Sequence, residues 1–327
     1  LKKPWYAATL AAFFRRGGIA RRPYLPAIAV CVLLFLVNGL LQPRTLRPES
    51  IVSDVATYLP LILLAVGQTY VVFTSDIDLS VGSIVSLANV VTVTVMAALG
   101  GGGGAILIGI LTGILVGLLC GVFNGFCVAV LRFQPIVATF ASGIVFAGIA
   151  LWILPQAGLP APDVFWETYG EDLAGIPFVL WVLTVTAGAV GLIANLVFCR
   201  LLLAVGGQKQ SAYQSGLAVP RLRIQAYMLC GLFAALAALC LTGDTASGDP
   251  LLGAKSTLGS VAAVVLGGTA LSGGRGSAVG SIFGAIILGL VGSVVFFAGV
   301  PFEYQNLVQG LIVLVALAGG VFAARRS

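Results

Sequence analysis

The chain has 327 residues, of which 59% are hydrophobic and only 9% charged, with a mean hydropathy of +1.10 and a formal net charge of +6. A soluble domain carries about 25% charged residues, so this composition leaves no side chains for a water-facing surface and points to a bilayer as solvent. The chain contains no histidine, which removes the usual imidazole base, proton relay and metal ligand.

The chain opens on a basic segment, 1–23, with Lys2, Lys3, Arg15, Arg16, Arg21 and Arg22. An apolar run to Leu41 follows, longer than the core of a cleaved signal peptide, and is expected to be a retained first span. Ten spans of suitable length are predicted in all, at about 24–41, 55–73, 80–99, 105–130, 136–154, 176–198, 224–242, 259–271, 280–299 and 305–323. The expected fold is therefore an all-α polytopic bundle, with 24–327 forming a single transmembrane domain. The eighth span is short and flanked by Gly and Ser, as expected of a broken or re-entrant helix, which needs protein or water around it.

The 43 glycines fit this reading, because small residues let membrane helices approach closely. Six cysteines, Cys31, Cys120, Cys127, Cys199, Cys230 and Cys240, fall in or beside apolar segments without any CxxC pair. They read as packing residues and not as a disulfide or metal framework.

Charge gives an orientation. With the N-terminus inside and the sides alternating, 14 of the 17 basic residues fall inside, and only Arg44, Arg47 and Lys255 fall outside. Nine of the 11 acids fall outside; the exceptions are Asp76 and Asp78. Both termini are then expected in the cytoplasm. The longest outside loop is about 155–175, and the longest inside loop between spans about 199–223.

Three segments stand out. The first, Thr74–Gly82, carries Asp76, Asp78, Ser80 and Gly82 beside the membrane. An acid at mid-bilayer costs about 2.5–3.5 kcal/mol on insertion scales, so such groups line a polar path or cap a helix. Asp78 or Ser80 suits a cap on the third span, and direct contact with a substrate or ATPase is the alternative. The second, Gly267–Ser277, is a glycine-rich turn bearing Arg275 on the inside. The third, in the inside loop, predicts a short polar helix from about Gln208 to Ser215, stopped by Gly216. Alone it is marginal, so it wants a docking partner. Val81-Gly82-Ser83-Ile84 recurs as Val279-Gly280-Ser281-Ile282, but both copies precede spans running the same way, which does not fit inverted halves. Gly248–Ser256 imitates a phosphate loop, but Ala254 breaks its spacing and it falls outside.

Read together, these segments resemble the permease family of monosaccharide ATP-binding-cassette importers, the ribose, xylose, arabinose and galactose type. The family's Gly-Gly-Ile-Asp-Leu-Ser-Val-Gly appears here as Ser75-Asp76-Ile77-Asp78-Leu79-Ser80-Val81-Gly82, with Ser75 and Asp76 in place of the glycines. Its Pro-Phe-Ile-Val-Thr-Leu is similar to Pro135–Phe140, and its Gly-Gly-Thr-Ser-Leu-x-Gly-Gly-Arg-Gly-Ser to Gly267–Ser277. Tyr304-Gln305 and Val308-Gln309-Gly310 also fit, so the likeness covers about 50–323. The inside loop departs more, with Gly207-Gln208 and Ala212-Tyr213 where the family has Gly-Asn and paired alanines.

The resemblance implies a type II importer-like permease in a bacterial inner membrane. It would work with a second permease subunit, identical or paralogous, two cytoplasmic ATP-binding subunits and a periplasmic sugar-binding protein. ATP and Mg would be used by the ATPase; this chain would bind no cofactor or metal, contact lipid but no nucleic acid, and catalyse no reaction. Asp76, Asp78, Ser80, Gly82, Pro135 and Thr139 are the candidates for the substrate path. Gly207, Gln208, Gln210, Ala212, Ser215, Gly216 and Arg275 are the candidates for coupling to the ATPase. A permease for a nucleoside or signalling sugar is the near alternative. An ion-coupled carrier or an intramembrane enzyme finds little support, since the chain offers no mid-span His or Lys and no paired catalytic residues.

Overall fold

The computed structural model describes residues 24–305, 307–312 and 314. The basic segment 1–23 and most of the expected tenth span lie outside the described residues. Twelve helices are delimited among these. They are α1 (Leu25–Leu41), α2 (Pro48–Phe73), α3 (Val81–Ala98), α4 (Gly103–Ala129), α5 (Pro135–Ile153), α6 (Asp163–Gly170), α7 (Phe178–Asn195), α8 (Val197–Gly207), α9 (Lys209–Gln214), α10 (Val219–Thr245), α11 (Ser256–Leu266) and α12 (Ala278–Phe297). The described residues from Phe302 to Leu314 are helical as well.

Seven of these helices, α2, α3, α4, α5, α7, α10 and α12, are long and apolar enough to cross a bilayer. At 1.5 Å per residue the 26 residues of α2 reach about 39 Å, more than the hydrocarbon core. The 11 residues of α11 reach about 16 Å, so the eighth expected span does not cross. Two other boundaries differ from the sequence reading. Helix α2 starts at Pro48, seven residues early, because Pro48 supplies a preformed first turn. The stretch 199–207, expected as loop, belongs to the apolar helix α8 (Val197–Gly207), separated from α7 by the single extended residue Leu196.

The centre of the bundle is α2, α3, α4 and α10, with α11 and α12 packed on the other side of α2. Leu59, Leu63, Val66, Tyr70 and Phe73 of α2 are fully enclosed. By contrast α4 shows Leu107, Leu111, Leu115 and Leu119 outward, an apolar stripe suited to lipid tails. Five glycines of α4, Gly109, Gly113, Gly117, Gly121 and Gly125, recur every four residues and face inward. A methyl at Gly117 would strike the Gly231 carbonyl of α10, and one at Gly121 the Tyr227 carbonyl. The two backbones therefore touch, and only glycine fits there.

Opposite helix ends are joined by short pairings. Leu159–Pro160 pairs antiparallel with Ser247–Gly248, and Asp172–Leu173 pairs with Ile176–Pro177 across a turn at Ala174 and Gly175. Both turn residues have positive φ, as a two-residue hairpin requires.

The glycine stripe gives a test. Gly121→Leu should separate α4 from α10 at a cost of about 1–3 kcal/mol or more, seen as a lower melting temperature in detergent. Leu119→Met, on the lipid-facing stripe two residues away, should leave that temperature unchanged.

Candidate functional site

The three segments singled out by the sequence meet at one end of the bundle. Residues 74–80 do not form a surface loop. They turn back into the bundle beside the last turns of α2, because Gln68, five residues before the end of α2, pairs with the backbone of Asp78. In the amide orientation that satisfies both groups, Gln68 donates to the Asp78 carbonyl at 3.3 Å and accepts its N–H at 3.1 Å. The segment is thus re-entrant, with its backbone polar groups met by protein, as membrane depth demands.

Asp76 is the electrostatic centre. Its carboxylate has no exposure and receives Arg223 Nε at 2.8 Å on Oδ2, Arg223 Nη2 at 3.0 Å on Oδ1, and Lys209 Nζ at 2.9 Å on Oδ1. Thr74 Oγ1 adds a donor at 3.2 Å. The third nitrogen of the Arg223 guanidinium donates to the Val128 carbonyl at 3.2 Å, in the last turn of α4, where free carbonyls attract a cation. One carboxylate therefore ties the re-entrant segment to α9, through Lys209, and to α10 and α4, through Arg223.

Ser75 holds the next contact. Its φ is +62°, a conformation that favours glycine, which explains why the resembling family carries glycine here. Its hydroxyl proton is shared between the Ser272 carbonyl at 2.6 Å and the Gly206 carbonyl at 2.9 Å. Gly274 donates its N–H to the Phe73 carbonyl at 3.2 Å. Added methyls at Gly206, Gly273 or Gly274 would collide with Phe73, Ser75 or Gly207. The segments around 75, 206 and 274 thus touch backbone to backbone.

Asp78 sits deeper, fully buried, and its neighbours are neutral. Oδ1 accepts from Ser80 N at 2.8 Å and Ser80 Oγ at 2.6 Å. The expected cap takes this form: Asp78 closes a turn onto Ser80, and neither side chain bonds the free N–H groups of α3. Ser80 Oγ in turn accepts from Asn124 at 2.7 Å, and Ser142 donates to Asn124 Oδ1 at 2.6 Å. Thr139 Oγ1 accepts the Leu79 N–H at 3.0 Å and donates to the Pro135 carbonyl at 2.9 Å, with Pro135 in the first turn of α5. Gly82, the second residue of α3, donates its N–H to Thr257 Oγ1 of α11 at 3.1 Å, leaving no room for a side chain against Gly253.

The predicted path residues are therefore brought together, but as interlocked packing. Asp76, Asp78, Ser80 and Thr139 are buried, and none of them lines the three cavities bordered by Cys31, Leu258 and Trp181 respectively. The predicted coupling residues lie around α9. Gly207, Gln208, Gln210, Ser215 and Gly216 are exposed, Ala212 is buried and anchors the helix, and Gly216 has φ +80° at its end. Tyr213 projects from α9 with 70% exposure. Arg275 is exposed beside the glycine turn, and its carbonyl accepts from Ala270. Sequence reasoning missed Lys209, Arg223, Asn124 and Tyr213 as site residues. The signal for the first two was an acid with no cation nearby in sequence, which burial obliges the fold to supply.

With this geometry described, comparison with known proteins is direct. Residues 50–317 match the family of the branched-chain amino acid transport system permease component, and the chain belongs to this family of multi-span ABC permeases. It is 34% identical to the ribose import permease protein RbsC of Bacillus subtilis, over 89% of this chain and 90% of that protein. It is 31% identical to the L-arabinose ABC transporter permease protein AraH of Azospirillum brasilense, over 95% and 91%. It is 32% identical to the autoinducer 2 import system permease protein LsrC of Escherichia coli, over 90% and 85%. The chain is thus an integral protein of the bacterial inner membrane.

The ion-pair geometry sets an order of effects. Asp76→Ala strands Arg223 and should cost about 3–5 kcal/mol, as breaking a buried pair does. Lys209, whose side chain is 41% exposed, should cost under about 1 kcal/mol when changed to Ala. Arg223→Ala should lie between them or match Asp76→Ala. Thermal unfolding of the purified variants in detergent reads the order, and a larger loss for Lys209→Ala than for Asp76→Ala would overturn it.

Proposed function

We propose that this chain is the membrane-spanning permease of an importer that carries a monosaccharide, a pentose or hexose, into the cytoplasm with energy from a separate ATPase. The observation that carries this reading is the junction itself: a six-residue helix, α9, held against the bundle by Lys209 and Ala212, with Gln210, Tyr213 and Gln214 turned outward. A helix so short gains little stability alone, and an exposed aromatic on its outer face suits a protein partner. Arg132, Arg200, Lys209, Arg221, Arg223 and Arg275 lie toward this end, and the excess of basic residues supports reading it as the cytoplasmic one, the side on which we place both termini.

In this mechanism the ATPase grips α9 and the nearby Gly207–Gln208 and Arg275 surface. Closing of the ATPase pair moves α9, and the Asp76 ion pairs carry that movement to residues 74–80 and thence to α3. ATP and Mg stay with the ATPase subunits. A second permease subunit, two ATPases and a sugar-binding protein complete the assembly, while this chain alters no covalent bond. The sugar assignment follows the names of the ribose and arabinose relatives. The autoinducer 2 relative supports a second substrate, a signalling sugar.

The complex purified from native membranes and reconstituted into vesicles should accumulate D-ribose or L-arabinose when ATP is supplied, and leucine should not be carried. Leucine uptake without sugar uptake would reject the sugar. Tyr213→Asp should leave the melting temperature of the permease unchanged but remove the co-purifying ATPase and with it transport. Full transport by Tyr213→Asp would remove α9 from the coupling path.

A further inference from the structure

A cleft opens through the outer wall of the bundle at the end remote from the junction. Its volume is about 550 Å³. One side is the start of α4, with Ile106 and Ile110, and the other is the first half of α7, with Val182 and Val185. Helix α7 packs chiefly on α2, α6, α8 and α12 and not side by side with α4, so the gap between the two stays open. Leu236 and Leu239 of α10 form its floor, and α6 closes one end. These walls belong to the far end, since α4 and α7 run toward the junction and α10 runs away from it.

The lining offers water almost nothing to bond. Thr168 and Thr186 donate their hydroxyl protons to the Val164 and Val182 carbonyls of their own helices, at 2.6 and 2.8 Å. The Trp181 indole N–H donates to the Leu173 carbonyl at 3.1 Å. The Tyr169 hydroxyl is itself buried, and the Cys240 thiol is only a weak partner. A water molecule in such a space needs about two to four polar partners, and they are not on offer. An empty gap of this size is equally foreign to a packed protein, whose voids are seldom larger than a water molecule. Hydrocarbon is the filling that fits, and the mouth of the cleft faces it. Val185 is 68% exposed, and Leu107 and Leu111 of the outward stripe of α4 lie beside the opening.

The rim at the closed end selects the kind of lipid. Asp163 and Glu167 of α6, with Glu171 and Asp172 just after it, are all exposed there. No Lys or Arg occurs between Arg132 and Arg200 to balance them. Trp166 of α6 and Trp181 of α7 mark the level of the headgroups, where indole rings collect. A lipid of net negative charge is repelled by such a rim. A zwitterionic lipid with a primary ammonium brings the acids a cation that donates hydrogen bonds. A second copy of this chain suits the cleft less well. Two-fold pairing seats a patch against itself, which would press one acidic rim against another.

We infer that the cleft between α4 and α7 is a binding site for an acyl chain of a phospholipid whose headgroup carries a primary ammonium, held above the acids of α6 and the turn after it. The site stands apart from the junction, and the inference does not depend on which substrate the permease carries.

The test uses the full-length permease with Trp181, which lines the cleft, as its single tryptophan. It is reconstituted in phosphatidylcholine vesicles holding a minor share of lipid brominated on its acyl chains. Brominated phosphatidylethanolamine should quench Trp181 several-fold more than the same share of brominated phosphatidylglycerol. Trp152, 83% exposed on α5 outside the cleft, should show no such preference when it is the single tryptophan. Val182→Phe, which fills the cleft, should abolish the preference at Trp181, and Glu167→Lys with Glu171→Lys should reverse it, each with the melting temperature in detergent retained. In a second measurement, the complex purified from native membranes in mild detergent should retain an ethanolamine lipid by mass spectrometry, and the Val182→Phe complex should lose it. Equal quenching of Trp181 by the two lipids, or a preference untouched by Val182→Phe, overturns the site. Trp181 shielded from both lipids would give the cleft to a second copy and overturn it as well.

Discussion

A carboxylate shut away from water must find its counter-charge within the protein, and for Asp76 that need organises a whole end of the molecule. Arg223 and Lys209 come from two different elements; Arg223 reaches both carboxylate oxygens and Lys209 reaches one of them. Because desolvating the three groups is expensive, the ion pairs persist only with good geometry, and that geometry fixes where α9 and the start of α10 stand relative to residues 74–80. The hydroxyl of Ser75 and the glycines at 206, 273 and 274 bring a third segment to the same place. Remove the charge and three separate stretches of chain lose their common reference point.

Much of this was legible beforehand. Span length and apolar composition give nearly every crossing helix within a few residues, since hydrocarbon thickness imposes a length that soluble helices do not obey. The helix α9 and its stop at Gly216 were visible because a polar run ended by glycine has a local cause. The convergence of the three segments was not visible, because it depends on contacts between residues such as Asp76 and Arg223, 147 positions apart. Helix α8 hid for another reason. Arg200 interrupts its apolar run, so it read as connector, although Leu202 and Val205 are fully buried on its inner face. The glycine stripe of α4 was readable in its four-residue spacing, yet composition alone says nothing of which helix it meets.

The re-entrant segment before α3 and the short α11 are related in a way the repeated Val-Gly-Ser-Ile hints at. Gly82 packs against Gly253 just before α11, and Gly280 packs against Gly267 just after it. Both copies of the tetrapeptide open helices that clamp one end of the same 11-residue rod. The resemblance of the two copies therefore has a shared physical setting, a backbone-to-backbone approach that only glycine permits, even though the topology denies them the relation of inverted halves.

That clamping has a mechanical consequence. Helices α4 and α10 cannot slide past each other, because their carbonyls already fill the spaces that side chains would need. Displacement within the bundle falls more readily to pieces that do not span it, such as α11, whose start packs on Gly82 and whose end packs on Gly280. A rod about 16 Å long, turning by roughly ten degrees about its Gly82–Gly253 end, sweeps its other end through about 3 Å. A lever of that reach would let a pull at one end of the rod be felt at the start of α3 or of α12, with no long helix having to translate.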